Sequence, residues 1–227
     1  MSPRCVVNVA TGHYVRGQQR LFDTRALWGC NGLGFDHIPA GWPKHEDKPY
    51  AMKAYALKAA EHRGSTSLLW CDACIVPIRS LDPLWEKIEA EGAVISRNGW
   101  TNAQWCADSW YADCFPGVPL EEARALNREI PHVVATYFGV SLAHPVGRAI
   151  LEGYYRLASQ TRAFCGPWKN TPETPCGPPE VLGHRHDQSC LSLLAHQHGV
   201  KLVDPPEIFS YPDGQDERTI VIADGAY

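Results

Sequence analysis

Apolar positions recur with two different periods along the first half of the chain. Arg4 to Val9 (RCVVNV) is a short β-rich run broken by Thr11-Gly12, the pattern of a strand. Within Gln18 to Cys30 the apolar residues Leu21, Phe22, Ala26 and Leu27 stand at helical spacing, and so do Met52, Ala56, Leu57 and Ala60 after Pro49. Pro49 suits the first turn of that second helix. Leu68 to Pro77 (LLWCDACIVP), bounded by Gly64-Ser65-Thr66 and by Pro77, reads as one buried strand. A helix from about Leu81 to Glu91 and a strand at Ala93 to Ser96 follow. Strands alternating with helices predict an α/β fold, a Rossmann-like, mostly parallel central sheet flanked by helices.

The second half is less regular. His132 to Leu142 is strand-like, Val146 to Ala158 carries Ile150, Leu151, Tyr154 and Leu157 at helical spacing, and Asp187 to His198 predicts another helix. Val200 to Val203 and Thr219 to Ile222 read as strands. Between them, Ala163 to His184 holds five prolines and three glycines, so no regular element is expected there. Residues 163–184 are read as a mobile loop within one domain over 1–227.

Composition narrows the class. At 227 residues, 44% hydrophobic and 20% charged, the chain resembles an ordinary globular enzyme. A net charge of -4 without a long basic run argues against a sequence-independent grip on nucleic acid. No apolar stretch approaches a membrane span, and the N-terminus has no signal-peptide core, so no membrane partner is expected. Nine cysteines, an odd number in no regular framework, favour reduced thiols and a cytoplasmic location.

Three segments carry candidate chemistry. Asp72 is the one charge in LLWCDACIVP, and a strand end in such a sheet points into the ligand cleft. A capping role in the following turn is the plainer alternative. In His184-Arg185-His186-Asp187-Gln188, Asp187 opens a helix; it reads as an N-cap or as an acid-base or acceptor-binding carboxylate. The N–H groups and dipole of that helix favour the anion and should keep its pKa low. Lys53, in the first turn after Pro49, reads as a surface lysine or as a point charge for a diphosphate.

Together the first strand, the Thr-Gly loop, the Pro49-Tyr50-Ala51-Met52-Lys53 helix, LLWCDACIVP and the His-Asp-Gln helix resemble nucleotide-sugar-dependent glycosyltransferases of the GT-A fold. The resemblance implies a nucleotide-sugar-binding half over about 1–97 and an acceptor half over about 98–227. It implies a hexosyltransferase-like enzyme moving a sugar from a nucleoside diphosphate sugar, UDP first, to an acceptor hydroxyl. Asp72 would contact the ribose or a Mn²⁺ or Mg²⁺ ion, with His186 as a further metal ligand. Thr11, Gly12 and Tyr14 would lie near base and ribose, Lys53 near the diphosphate. Asp187, supported by His186 and Gln188, would face the reacting centre. Cys74 departs from the pattern: it stands where Asp-x-Asp has its second acid, and a thiol suits a hard cation poorly.

Trp100, Trp105, Trp110 and Tyr111 suit either a core helix or a sugar-binding face. The spacing of Cys190 and His184, His186, His196 and His198 matches no structural zinc pattern. The acceptor stays open: a polysaccharide, a protein, a small molecule or a hydroxymethylated DNA base. Alternatives are a sugar-phosphate nucleotidyltransferase, or a catalytically inactive carbohydrate- or nucleic-acid-binding protein. ATGHYVRGQQR lacks the compact Gly-x-Gly loop expected of the former.

Overall fold

A computed structural model describes residues 3–225. In chain order the elements are β1 (Arg4–Val9), α1 (Val15–Asp23), β2 (Asn31–Phe35), α2 (Met52–His62), β3 (Ser67–Cys71), β4 (Ile75–Pro77), α3 (Asp82–Glu91) and β5 (Ala93–Val94). Then come β6 (Arg97–Thr101), α4 (Asp108–Cys114), α5 (Leu120–Arg128), β7 (Pro131–Val133), β8 (Tyr137–Ser141), α6 (Pro145–Gln160), α7 (His186–Gln197), β9 (Phe209–Ser210) and β10 (Val221–Ala223).

The central sheet has the order β2-β1-β3-β8-β5. Strands β2, β1 and β3 run parallel, and β8 lies antiparallel to both β3 and β5. The mostly parallel α/β sheet expected from the alternation is therefore present, with one reversed strand. Residue parity explains how both faces are buried. Cys5, Val7, Val9, Leu68, Trp70, Phe138 and Val140 enter the core shared with α2, α6 and α7. Their neighbours Val6, Leu69, Cys71 and Tyr137 enter the opposite core, with α1, α3, β9 and β10. Successive strand residues point to opposite faces, so apolar side chains are needed on both, with Asn8, Ser67 and Ser141 as buried polar exceptions.

Several boundaries differ from the sequence reading. LLWCDACIVP is two strands in different sheets, because the chain turns at Asp72, whose carbonyl accepts from Ile75 N–H at 2.9 Å. His132 to Leu142 is likewise split between β7 and β8. Gln18 to Cys30 is not one helix: α1 starts at Val15 and stops at Asp23. Strand β2 (NGLGF) is additional; its glycines conceal it in the sequence but admit neighbouring rings. A Cβ on Gly32 would come 2.6 Å from Trp28, and one on Gly34 would come 2.7 Å from Phe22. Val200 to Val203 contributes only a bridge between Ser96 and Val203.

The segment after α6 has no helix or strand up to α7, as its prolines dictate. Side-chain bonds hold it instead. Asn170 Nδ2 donates to the carbonyls of Gly177, Pro178 and Val181, and Asn170 Oδ1 accepts from Cys176 N–H. Among the described residues no helix is long and apolar enough to cross a membrane.

Candidate functional site

Asp72 follows directly on β3 and keeps its parity, so its side chain turns toward α2, as those of Leu68 and Trp70 do. From that helix comes Lys53. Its position is set by the buried stripe Lys53, Ala56, Leu57, Ala60, in which the lysine takes the first place. Asp187 belongs to the analogous stripe of α7, with Cys190, Leu191 and Leu194. The three side chains meet. Lys53 Nζ lies 2.9 Å from Asp72 Oδ1 and 2.8 Å from Asp187 Oδ2, and donates to the Ala135 carbonyl at 2.9 Å. Exposure falls from 24% at Asp72 to 5% at Asp187 and 2% at Lys53, so the lysine is sealed behind the carboxylates.

Two carboxylates and one ammonium give the cluster a formal charge of -1. Burial opposes the charge on Lys53, yet Asp187 and Asp72 outweigh it and hold the ammonium above the usual lysine range. Burial pushes Asp72 up against the attraction of Lys53, and it does the same to Asp187. The low pKa expected for Asp187 is thus overturned: desolvation exceeds the help from the helix N–H groups. The capping expectation fails as well, because the helix starts at His186 and Arg185 occupies the cap position. Asp187 Oδ2 is ion-paired to Lys53 off the hydrogen-bonding angle and has no aligned donor among the described residues; buried Tyr154 Oη and Thr136 Oγ1 also lack partners there.

A cavity of about 300 Å³ opens over Asp72, walled by Thr11, Tyr14, His45, Tyr50 and Cys74 among others. Of the residues expected to bind the donor, the fold brings Thr11, Tyr14 and Asp72 to this cavity. Gly12 sits in the same loop with φ 57°. Lys53 stands behind Asp72 and is no surface point charge. Larger clefts exist, one of about 520 Å³ lined by Arg25, Trp28 and Arg63, away from this ion cluster.

Backbone strain marks the same place. Among the described residues the two non-glycines with positive φ are Tyr50 (61°) and His186 (44°), and their rings lie 5.9 Å apart. Left-handed backbone in bulky residues costs energy and concentrates at functional sites. His186 stacks on Trp168 and its Nδ1–H donates to the Phe164 carbonyl; burial pushes its pKa down to about 4. Trp168 also covers one face of the Arg185 guanidinium at 3.9 Å, with Trp105 on the other at 4.0 Å. Gln188 turns toward His132.

Three contributors escaped the sequence reading. The indole N–H of Trp70 donates to Asp72 Oδ1 at 2.7 Å, a pairing that the two-residue spacing on one strand face would have revealed. Tyr50 lies under the ammonium, with Nζ 5.1 Å from its ring. The backbone oxygen of Ala135 left no sequence signal. Of the aromatic run, Trp110 and Tyr111 are core, whereas Trp100 is 47% exposed.

The residues present do not fit a resident Mn²⁺ or Mg²⁺. Both Asp72 oxygens contact Lys53, and Oδ1 also accepts from Trp70. His186, the expected second ligand, donates Nδ1–H to the Phe164 carbonyl and stacks on Trp168, and no contact joins it to Asp72 among the described residues. Cys74 offers a soft sulfur where these hard cations prefer oxygen. No group of three or more His, Cys, Asp or Glu side chains able to hold a metal occurs among the described residues.

No family model matches the chain, nor does any curated protein. Solved structures do. A glycosyltransferase involved in the glycosylation of the major capsid of PBCV-1 superimposes over 98% of this chain and 96% of its own, with TM-score 0.54 and 10% identity. Mouse xyloside xylosyltransferase 1 in its apo form matches over 100% of this chain and 98% of its own, with TM-score 0.50 and 10% identity. The fold is the GT-A fold of glycosyltransferases.

Proposed function

We propose that the chain is a glycosyltransferase that moves a sugar, a hexose first among the candidates, from a nucleoside diphosphate sugar to an acceptor hydroxyl, with a UDP-sugar as the preferred donor. One observation carries this reading. Asp72, Lys53 and Asp187, from three segments far apart in the chain, converge at the carboxyl end of β3 beside a cavity. In open α/β sheets ligands bind at that end of the strands. Natural folding gains little from two buried carboxylates around one ammonium, so their retention favours a functional use.

In this reading Thr11, Gly12 and Tyr14 receive base and ribose. Asp72 accepts hydrogen bonds from ribose or sugar hydroxyls through its exposed part. Asp187 lies deeper and faces the reacting centre from behind Asp72, with His186 and Gln188 beside it at the start of α7. Residues 163–184 cover the acceptor side, anchored through Trp168. Nine unpaired cysteines favour a reducing compartment, the cytosol.

Incubation with a panel of labelled nucleotide sugars tests the reading. Hydrolysis or transfer of the sugar is the expected result. Release of pyrophosphate would mark a nucleotidyltransferase instead, and binding without turnover would mark a binding protein.

A further inference from the structure

We propose that Lys53 stands where a divalent cation would otherwise bridge two carboxylates, so that this site binds its donor without Mn²⁺ or Mg²⁺. The inference rests on the glycosyltransferase reading of the site. Its warrant is the way the ammonium is held. Three oxygens from three separate segments surround Nζ: Asp72 Oδ1 at 2.9 Å, Asp187 Oδ2 at 2.8 Å and the Ala135 carbonyl at 2.9 Å. A hard cation asks for such a shell of oxygens. Here a covalently attached cation already fills it.

A metal ion could reach Asp72 and Asp187 only by displacing Lys53. The lysine is 2% exposed and cannot swing into water without a large rearrangement of α2. A displaced ammonium would stay buried and unpaired, an arrangement that is strongly destabilising. The alternative ligand position, Cys74, offers sulfur where Mn²⁺ and Mg²⁺ prefer oxygen. Without a metal, the diphosphate's partners are the neutral donors of the cavity wall, the hydroxyls of Thr11, Tyr14 and Tyr50 and the ring of His45. Asp72 then serves sugar hydroxyls alone.

Two measurements decide the matter. Electron paramagnetic resonance of Mn²⁺ titrated into the wild-type protein, with and without UDP, should show no more bound Mn²⁺ than the matching protein-free solution. Binding of a nucleotide sugar, followed by calorimetry, should be the same in EDTA and in Mn²⁺. The Lys53→Gln variant frees both carboxylates and should gain Mn²⁺ affinity by about tenfold or more, or about 1.4 kcal/mol. Mn²⁺ captured by the wild type, or donor binding abolished by EDTA, would overturn the inference while leaving the glycosyltransferase reading intact. If no nucleotide sugar binds under either condition, the functional reading falls and this inference falls with it. Should Lys53→Gln fail to fold, the wild-type titrations still decide.

Discussion

Trp70 and Asp72 lie on one face of the same strand end, and the indole N–H of the first donates to Oδ1 of the second at 2.7 Å. The bond fixes the carboxylate, both of whose oxygens contact Lys53, at the edge of the cavity. Orientation of this kind is what a charged side chain needs to act on a ligand and not merely to be neutralised.

Replacing Asp72 with asparagine keeps the shape and an acceptor for Trp70 but removes the charge. Donor turnover should fall by more than about tenfold, the effect expected when one transition-state contact of about 1.4 kcal/mol is lost. Steady-state assays with circular dichroism as the folding control check this. A folded variant with wild-type turnover would remove Asp72 from the mechanism.

Serine caps helices about as well as aspartate, so Asp187→Ser would be silent if Asp187 were only a cap. The structure predicts otherwise, because Asp187 sits inside the first turn and balances a buried ammonium. Breaking a buried pair costs about 3–5 kcal/mol, so both the melting temperature and activity should drop. Asp187→Asn, which keeps the volume, should retain more stability than the serine variant yet still lose transfer. Calorimetry and activity assays on the two variants separate these effects.

Acid should unfold the protein through its histidines. Burial pushes His132 and His184 down to about 3 and His186 down to about 4, from 6.5. Folded-state values below the unfolded ones mean that the unfolded chain takes up protons the folded chain refuses. Their stabilisation is therefore complete above pH 6.5 and is lost as pH falls through 6.5 toward 4. Asp72 and Asp187, whose folded values are raised, act in the opposite sense and soften the loss at low pH. Melting temperatures measured from pH 8 to pH 4.5 should decline below 6.5. His186→Asn, which tolerates the left-handed backbone, should flatten that decline.

Asn170 organises the Pro-rich segment with three donated bonds. Asn170→Ala should raise the rate of limited proteolysis within 166–183 while global unfolding shifts little, since the surrounding core is untouched. Saturating donor should slow the cleavage if the segment closes over the bound sugar. Equal cleavage with and without donor would make it a static wall.

Much of this was legible in the sequence. Strand parity and the lone charge in LLWCDACIVP located Asp72, and the repeat of strand and helix gave the parallel sheet. Lys53 was visible too, three and four residues before Ala56 and Leu57 on the apolar stripe, but a stripe does not say what a buried lysine pairs with. That depends on α7, more than a hundred residues later, through a contact with no local signature. Strand β2 was hidden because Gly32 and Gly34 answer to the rings of Trp28 and Phe22 and not to strand propensity. The low pKa expected for Asp187 failed because a helix terminus is visible in sequence and the depth of its burial is not.

The sealed position of Lys53 has a bearing on how the chain assembles. Its two carboxylates arrive from the end of β3 and from α7, so the charge is balanced only when the last long helix has docked against the second one. A register slip of one residue in β3 would turn Asp72 into the opposite core and strand the lysine in oil. Each misassembled form therefore carries an electrostatic penalty that the correct one escapes. The buried ion cluster thereby doubles as an inspection step for the fold that surrounds it.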